Sequence, residues 1–390
     1  MKDVFYLAAV CAVVPGLGRA KLPVLIARLG SAEAVFKASA EELESQGILK
    51  PSQISNFIAN RRDDLPERIE SFCSRQNVTL LSIYDDDYPY SLKNISDPPL
   101  VLYIKGTMPK DFCGIAIVGS RRATSYGLKA AGVFSGALSR EGLTIISGGA
   151  RGIDTAAHEA CLYAGGKTIA VLGCGLDIVY PPENAELFKN ICRQGAVISE
   201  YAPGTKPLPN NFPARNRIIV GLSSAVIVAE AARKSGAIIT ANIAADEGRD
   251  VYCVPGNIFD GTSIGCHDLI RNGAKLVDSP EDAFEDAASW RNLLKHDIHQ
   301  QDLFEMALIE SDISKEEKRE EKPKQLKKAL PDSVSPLGKK LWELLGQGAL
   351  SLEELTEQSG TDFTAVSIEL LDLQVAGLVG VNQAQRYHRS

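Results

Sequence analysis

Residues 114–157 decide the fold: GIAIVGSRRATSYG (114–127), an amphipathic interval, then LTIISGGARGIDTAA (143–157). Each half is an apolar, β-like run that ends in a glycine-bearing loop and opens a helical segment. In an open α/β sheet such loops lie at the carboxyl ends of the strands, where ligands bind. The first loop holds Gly119, Ser120, Arg121 and Arg122; the second holds Ser147, Gly148, Gly149, Ala150 and Arg151. Glycines let backbone N–H groups approach an anion, and a helix N-terminus adds favourable partial charge. The stretch predicts an edge built to meet phosphate.

Further apolar runs follow at 168–173, 196–200, 225–230 and 251–255, with a shorter one at 275–277. Near-continuous apolar strands separated by helical segments indicate a Rossmann-like, doubly wound, mostly parallel sheet covered on both faces. This α/β domain spans 86–288, its first part (86–112) a connector broken by Tyr88-Pro89 and Asp97-Pro98-Pro99, with VLYIKG (101–106) read as an edge strand. Residues 1–85 read as a helical domain of the SAM or helix-hairpin-helix kind, in which Ser39 and Glu42 have the spacing of a capping box. Residues 289–335 form a linker whose SKEEKREEKPKQLKKAL run is too charged to build a core. Residues 336–390 follow the order of a winged helix, three helices and then a hairpin. The segment that would enter a major groove carries Asp362, Glu369 and Asp372 and no Lys or Arg, so phosphates would repel it.

The chain has 390 residues and a formal net charge of −7, so nucleic acid would have to be held by a confined patch. Its 8 cysteines are scattered, with no CxxC pair and no metal-ligand spacing, which fits a reducing cytoplasm, buried thiols and no bound metal. VFYLAAVCAVVPGLG near the N-terminus has some look of a signal peptide, but Lys2 is offset by Asp3 and the helical pattern continues past Pro15. It reads as the first helix of a domain, and no run is long enough to span a bilayer.

The motifs exclude familiar chemistries. Arg121 stands where a dinucleotide fingerprint needs glycine, and no acid ends the second strand, so no nicotinamide cofactor is expected. A P-loop is absent. The enzymatic alternative is a nucleotide hydrolase resembling the lysine-decarboxylase-like phosphoribohydrolases, with Glu200 and Glu230 as its acids. SGGARGID lacks the Thr and Glu of the PGGxGTxxE motif, and the simpler reading makes both glutamates partners of arginines or caps. What the sheet edge does supply is donors from several loops. Asn210 to Arg217 (NNFPARNR) include Phe212, Arg215, Asn216 and Arg217; Lys234, Ser235 and Gly236 follow the fifth strand, with Thr240 one turn on. Cations in a row beside an aromatic ring suit a single nucleic-acid strand.

Taken in order, VGSRRAT, SGGARGIDTAAHEA, VLGCGLDIVYPPENAELF, FPARNRIIVGLS, SGAIITA and VPGN resemble the motifs of the DNA-processing protein A (DprA/Smf) family, over roughly Tyr88 to Val277. The resemblance implies a non-enzymatic protein that binds single-stranded DNA and protects it, dimerises through the Rossmann-like domain, and loads RecA recombinase, alongside single-strand-binding protein, during natural transformation. It places Arg121, the SGGA amides, Phe212, Arg215 and Arg217 on the DNA. One motif departs from the family pattern: SxGxNxLI stands here as Ser263 to Ile270 with His267 for the Asn and Asp268 where a cation is frequent.

Overall fold

The computed structural model describes residues 2–14, 18–110, 112–259, 261–284 and 334–389, the last without 347, 376–377 and 382–385. The charged linker and the Pro15-Gly16 turn lie outside the described residues, apart from the linker's last two positions. The chain divides into two compact units, Met1–Leu303 and Phe304–Ser390.

The first unit is built on nine strands: β1 (Val78–Ser82), β2 (Val101–Gly106), β3 (Gly114–Gly119), β4 (Thr144–Ser147), β5 (Thr168–Val171), β6 (Ala196–Ser199), β7 (Ala225–Glu230), β8 (Asp250–Cys253) and β9 (Lys275–Leu276). Their spatial order is β1-β2-β6-β5-β4-β3-β7-β8-β9. The seven strands β3 to β9 pair in parallel, while β1 and β2 add an antiparallel flap beside β6. The chain winds outward from β3 to β6, then returns to the other side of β3 as β7. This reversal is the switch point of a doubly wound fold.

The apolar runs form strands because side chains alternate between two separate cores. Ile115, Ile117, Ile145 and Ile227 enter a core with Phe134 and Ala157 of helices Ser125–Arg140 and Ile153–Tyr163. Ala116, Val118, Ile146 and Val226 enter the opposite core with Ile218 and Ala241 of helices Asn211–Gly221 and Gly236–Asp246. The N-terminal helices share this second core: Tyr6, Leu22, Phe36 and Phe57 belong to the same buried cluster as the strands. The capping box at Ser39 and Glu42 is present.

Two readings need correction. The helical stretch ends at Gln76, and β1 follows at once. VLYIKG is no edge strand, because β1 lies outside it; Val101 to Ile104 are each at most 3% exposed, which an edge position would not allow. The second unit carries helices Pro336–Leu344, Leu352–Ser359 and Phe363–Val375 and then a two-stranded hairpin, around Leu341, Leu355, Val366 and Leu370.

The connector is fastened to the sheet through Leu92 and Ile95, both fully buried against Gly221; a Cβ there would stand 2.6 Å from the Leu92 side chain. Leu92→Ala is expected to lower stability by about 2–5 kcal/mol, the usual cost of a large-to-small change in a closed core. Urea unfolding followed by circular dichroism measures it, and a loss below about 1 kcal/mol would show that the connector is not part of the core.

Candidate nucleic-acid interface

The glycine loops after β3 and β4 are tied together from inside. Ser120 donates its N–H to the Glu230 carbonyl (2.8 Å), and Ile153 donates to the Ser120 carbonyl (3.2 Å). At Gly152, φ is +76° and a Cβ would stand 2.3 Å from the Ser120 oxygen, so conformation and close approach both require glycine. Asp154 accepts from the N–H groups of Gly148 (3.1 Å) and Ala150 (3.3 Å). Asn184 donates to the Gly149 carbonyl (2.9 Å), and Ser147 donates to Ile117 across to β3 (2.6 Å).

Two of the SGGA amides are thus engaged inside the protein. The Gly148 and Ala150 amides point inward to a buried carboxylate.

Arg215 lies opposite Asp154 and is 3% exposed. Its Nη1 donates to the Gly148 carbonyl (2.7 Å) and to the Val171 carbonyl, bridging the ends of β4 and β5. Burial lowers its pKa to about 10, so it stays charged at neutral pH. Burial likewise pushes the Asp154 carboxyl up, against the pull of Arg215 and the two amides. Arg217 makes a two-bond fork to Glu200 (2.8 and 2.7 Å) and reaches Asp97 through Nε (3.0 Å). Burial opposes the charge on Arg217, but the two carboxylates outweigh it and raise its pKa. Arg217 is thus engaged by two carboxylates, and Arg215 donates inward through Nη1, its Nε having no hydrogen-bond partner among the described residues. Asn216 is buried beside them.

What faces outward is a smaller set. Arg121 and Arg122 are exposed at the tip of the β3 loop. The Arg121 guanidinium lies over the half-buried Phe212 ring at 4.8 Å, and Tyr180 packs on that ring with centroids 5.5 Å apart. Together with Ala150, Leu172 and Gly173 they line a shallow pocket over β4 and β5. Tyr180 belongs to this pocket although its sequence signal was only a Tyr-Pro-Pro run in a glycine-rich loop; the Tyr180–Pro181 peptide is cis. Arg151 is exposed but paired with Glu183, an exposed ion pair of little strength.

Lys234, Ser235, Gly236 and Thr240 are not in the pocket. They follow β7, on the far side of β3, where Lys234 is exposed, Ser235 caps its helix and Thr240 is buried. The switch point itself is closed by Glu230, fully buried and accepting from the Thr124 amide (3.0 Å) and hydroxyl. A pyrophosphate placed there would meet a carboxylate.

The candidate acids of a hydrolase are engaged in the same way, Glu200 by Arg217 and Glu230 by the capping Thr124. His158 is fully buried with Nδ1 on the Thr168 hydroxyl (2.7 Å). In the tail, Arg386 donates to Glu354 (2.6 Å). Among the described residues no helix is long and apolar enough to cross a membrane, and no cluster of possible metal ligands occurs.

Arg215→Met is expected to cost about 3–5 kcal/mol, since it strands the Asp154 charge and two carbonyls in the interior; urea unfolding at neutral pH measures this. A second outcome concerns acid. Burial lowers the His158 pKa from 6.5 to about 3. The unfolded state therefore takes up a proton that the folded state refuses, and stability falls as pH drops from 6.5 toward 3. His158→Gln is expected to flatten the dependence of the unfolding midpoint on pH in that window. An unchanged slope would show that the buried imidazole does not set it.

A family model described as DNA recombination-mediator protein A matches residues 79–288, and a model described as the DprA winged helix domain matches 325–381. DNA processing protein DprA of Streptococcus pneumoniae is 51% identical over 208 residues, covering 53% of this chain and 73% of that protein. Protein Smf of Synechocystis sp. is 35% identical over 386 residues, covering 94% of this chain and 95% of the relative. The X-ray structure of DprA from S. pneumoniae aligns with a TM-score of 0.62 and 39% identity, over 73% of this chain and 98% of that one. A structure of DNA processing protein A from Helicobacter pylori, described as giving insight into its single-stranded DNA binding mode, aligns at 0.50 with 29% identity, over 55% of this chain and 98% of that one. With one family model matching more than half of its length and a relative matched nearly end to end, the chain belongs to the DprA/Smf family of DNA-processing proteins.

Proposed function

We propose that this protein binds single-stranded DNA along the carboxyl edge of its sheet, without catalytic turnover. In this reading it acts as a cytoplasmic homodimer that protects incoming DNA and passes it to a RecA-type recombinase during natural transformation. The observation that carries the binding step is the stack of Arg121, Phe212 and Tyr180. A cation over an exposed aromatic face contributes about 0.5–1 kcal/mol. A nucleic-acid base on the same face contributes about 1–3 kcal/mol. An arriving base therefore displaces the guanidinium, which is left beside the sugar-phosphate chain with its charge free for a phosphate. Arg122 and Gly119-Ser120 share the loop and would track the same backbone.

Family membership supports proposing a dimer and, as partners, the recombinase and a single-strand-binding protein, and the winged helix with its acidic third helix suits a protein partner better than DNA. The engaged state of Glu200 and Glu230 supports a holding role over hydrolysis.

Fluorescence anisotropy with a labelled oligonucleotide tests the binding step. Single strands are expected to bind much more tightly than duplex, with affinity falling steeply as salt rises. Equal binding of the two forms would sink the reading. Arg121→Glu is expected to weaken binding to every sequence, and Phe212→Ala to cost about 1–3 kcal/mol, one stacked base. Loading is tested separately, by whether the protein restores RecA filament assembly on DNA coated with single-strand-binding protein. No restoration would remove the loading step and leave the binding step standing.

A further inference from the structure

We propose that the loop after β8 supplies a second base-stacking position on the same strand, with Phe259 as its platform. The inference rests on the single-strand reading above and extends it to a part of the sheet edge beyond the pocket. Phe259 is 89% exposed and its neighbour Ile258 68% exposed. A phenylalanine side chain presents about 150–250 Å² of apolar surface, and leaving that in water has a cost unless something covers it.

The exposure is built in. The Tyr126 hydroxyl donates to the Pro255 carbonyl (2.6 Å), and His267 Nε2 lies 3.1 Å from the Gly256 carbonyl oxygen. Phe259 N–H donates to the Asn257 side-chain oxygen (2.9 Å). Gly256 is pressed against Ser263, where a Cβ would stand 2.0 Å from the hydroxyl oxygen. The loop is therefore anchored at its base while its ring points away from the core. His267, the departure from the family pattern, is one of these anchors. Asp268, the other departure, is held by Arg233 (2.9 Å) and Arg271 (2.8 Å), so its charge is offset where a phosphate would pass.

Position and charge make a nucleic-acid strand the occupant. The loop follows the carboxyl end of β8, so it lies on the same sheet edge as Arg121 and Phe212. Between the two rings stand the loops after β3 and β7, which expose Arg122 and Lys234. Phe212 sits against Gly173, just after β5, and β8 is four strand steps away in the order β5-β4-β3-β7-β8. At about 4.8 Å per strand the span is about 19 Å. That corresponds to roughly six nucleotides at the rise of a stacked strand, fewer if it is stretched. Aromatic, cation, cation, aromatic is the arrangement that single-strand grooves use.

The test is anisotropy with labelled oligothymidylates of about four and about sixteen nucleotides, bracketing the span. Phe259→Ala is expected to weaken the long oligonucleotide roughly tenfold, the size of one lost stack, and to leave the short one unchanged. Phe212→Ala weakens both. Phe259→Tyr keeps the native affinity, and Phe259→Leu behaves like the alanine variant, which separates stacking from plain apolar contact. If Phe259→Ala binds the long oligonucleotide as the native protein does while Phe212→Ala does not, the second platform is refuted and the first stands. If the native protein binds neither oligonucleotide, the single-strand reading fails beneath it. Unchanged DNA affinity with an altered sedimentation coefficient would assign the ring to a protein contact and likewise overturn the proposal.

Discussion

A single buried guanidinium sets the shape of the sheet edge. Arg215 holds the carbonyls of Gly148 and Val171, where β4 and β5 end, and faces Asp154 across the backbone of Gly148. Asp154 in turn collects the amides of Gly148 and Ala150 and stands in the first turn of helix Ile153–Tyr163, where a carboxylate is favoured. Taking two charges out of water costs several kcal/mol each, and only good geometry with further hydrogen bonds offsets it. Here the bonds from Arg215 Nη1 and those accepted by Asp154 supply part of that offset, while Arg215 Nε has no hydrogen-bond partner among the described residues. The ends of two strands are tied to one side chain. The pocket rim is thus fixed before any ligand arrives, which lowers the ordering cost of binding.

That internal pair also decides which cations are left for phosphate. A count of arginines along the motifs overstates the positive surface, because Arg215, Arg217 and Arg151 are each matched by an acid nearby. Arg121, Arg122 and Lys234 remain outward. The net charge of −7 does not cancel them. At physiological salt the screening length is about 8 Å, so a phosphate in contact with Arg121 feels its own neighbours far more than distant acids. A weakly acidic protein with a confined cationic crest is a coherent electrostatic design.

Fold and site were not equally legible in the sequence. The strands could be read because a parallel strand buried on both faces must be apolar at every position, and AVIVAE at 225–230 is found as a strand with those bounds. The place of β1 outside β2 was not legible, since TLLS looks the same at an edge or inside one. The direction of the FPARNR side chains was hidden for a similar reason. Phe212, Arg215 and Arg217 lie within two turns of one helix, but what turns the arginines inward lies far off in sequence. Val171 is 44 residues from Arg215, and Asp97 is 120 residues from Arg217. A local motif identifies which side chains are important without saying whether they face a ligand or a neighbouring strand. Glu200 and Glu230 show the opposite case, where the simple structural reading of a strand-end acid was also the right one.

The composition of the edge bears on what kind of molecule it suits. One stacked base supplies about 1–3 kcal/mol and one exposed ion contact less, whereas micromolar affinity requires about 8 kcal/mol. No single position on this edge reaches that figure. A mononucleotide, which engages one position, would stay in weak exchange, while a strand that engages the β3, β5 and β7 loops in succession adds their contributions without repeating the cost of losing translational freedom. Because every base has an aromatic face and every nucleotide a phosphate, the sum depends on length and backbone and hardly on sequence. The amides of Gly148 and Ala150 are turned inward to Asp154. A backbone cradle would favour one terminal phosphate at one spot, whereas side chains spread along an edge suit a strand.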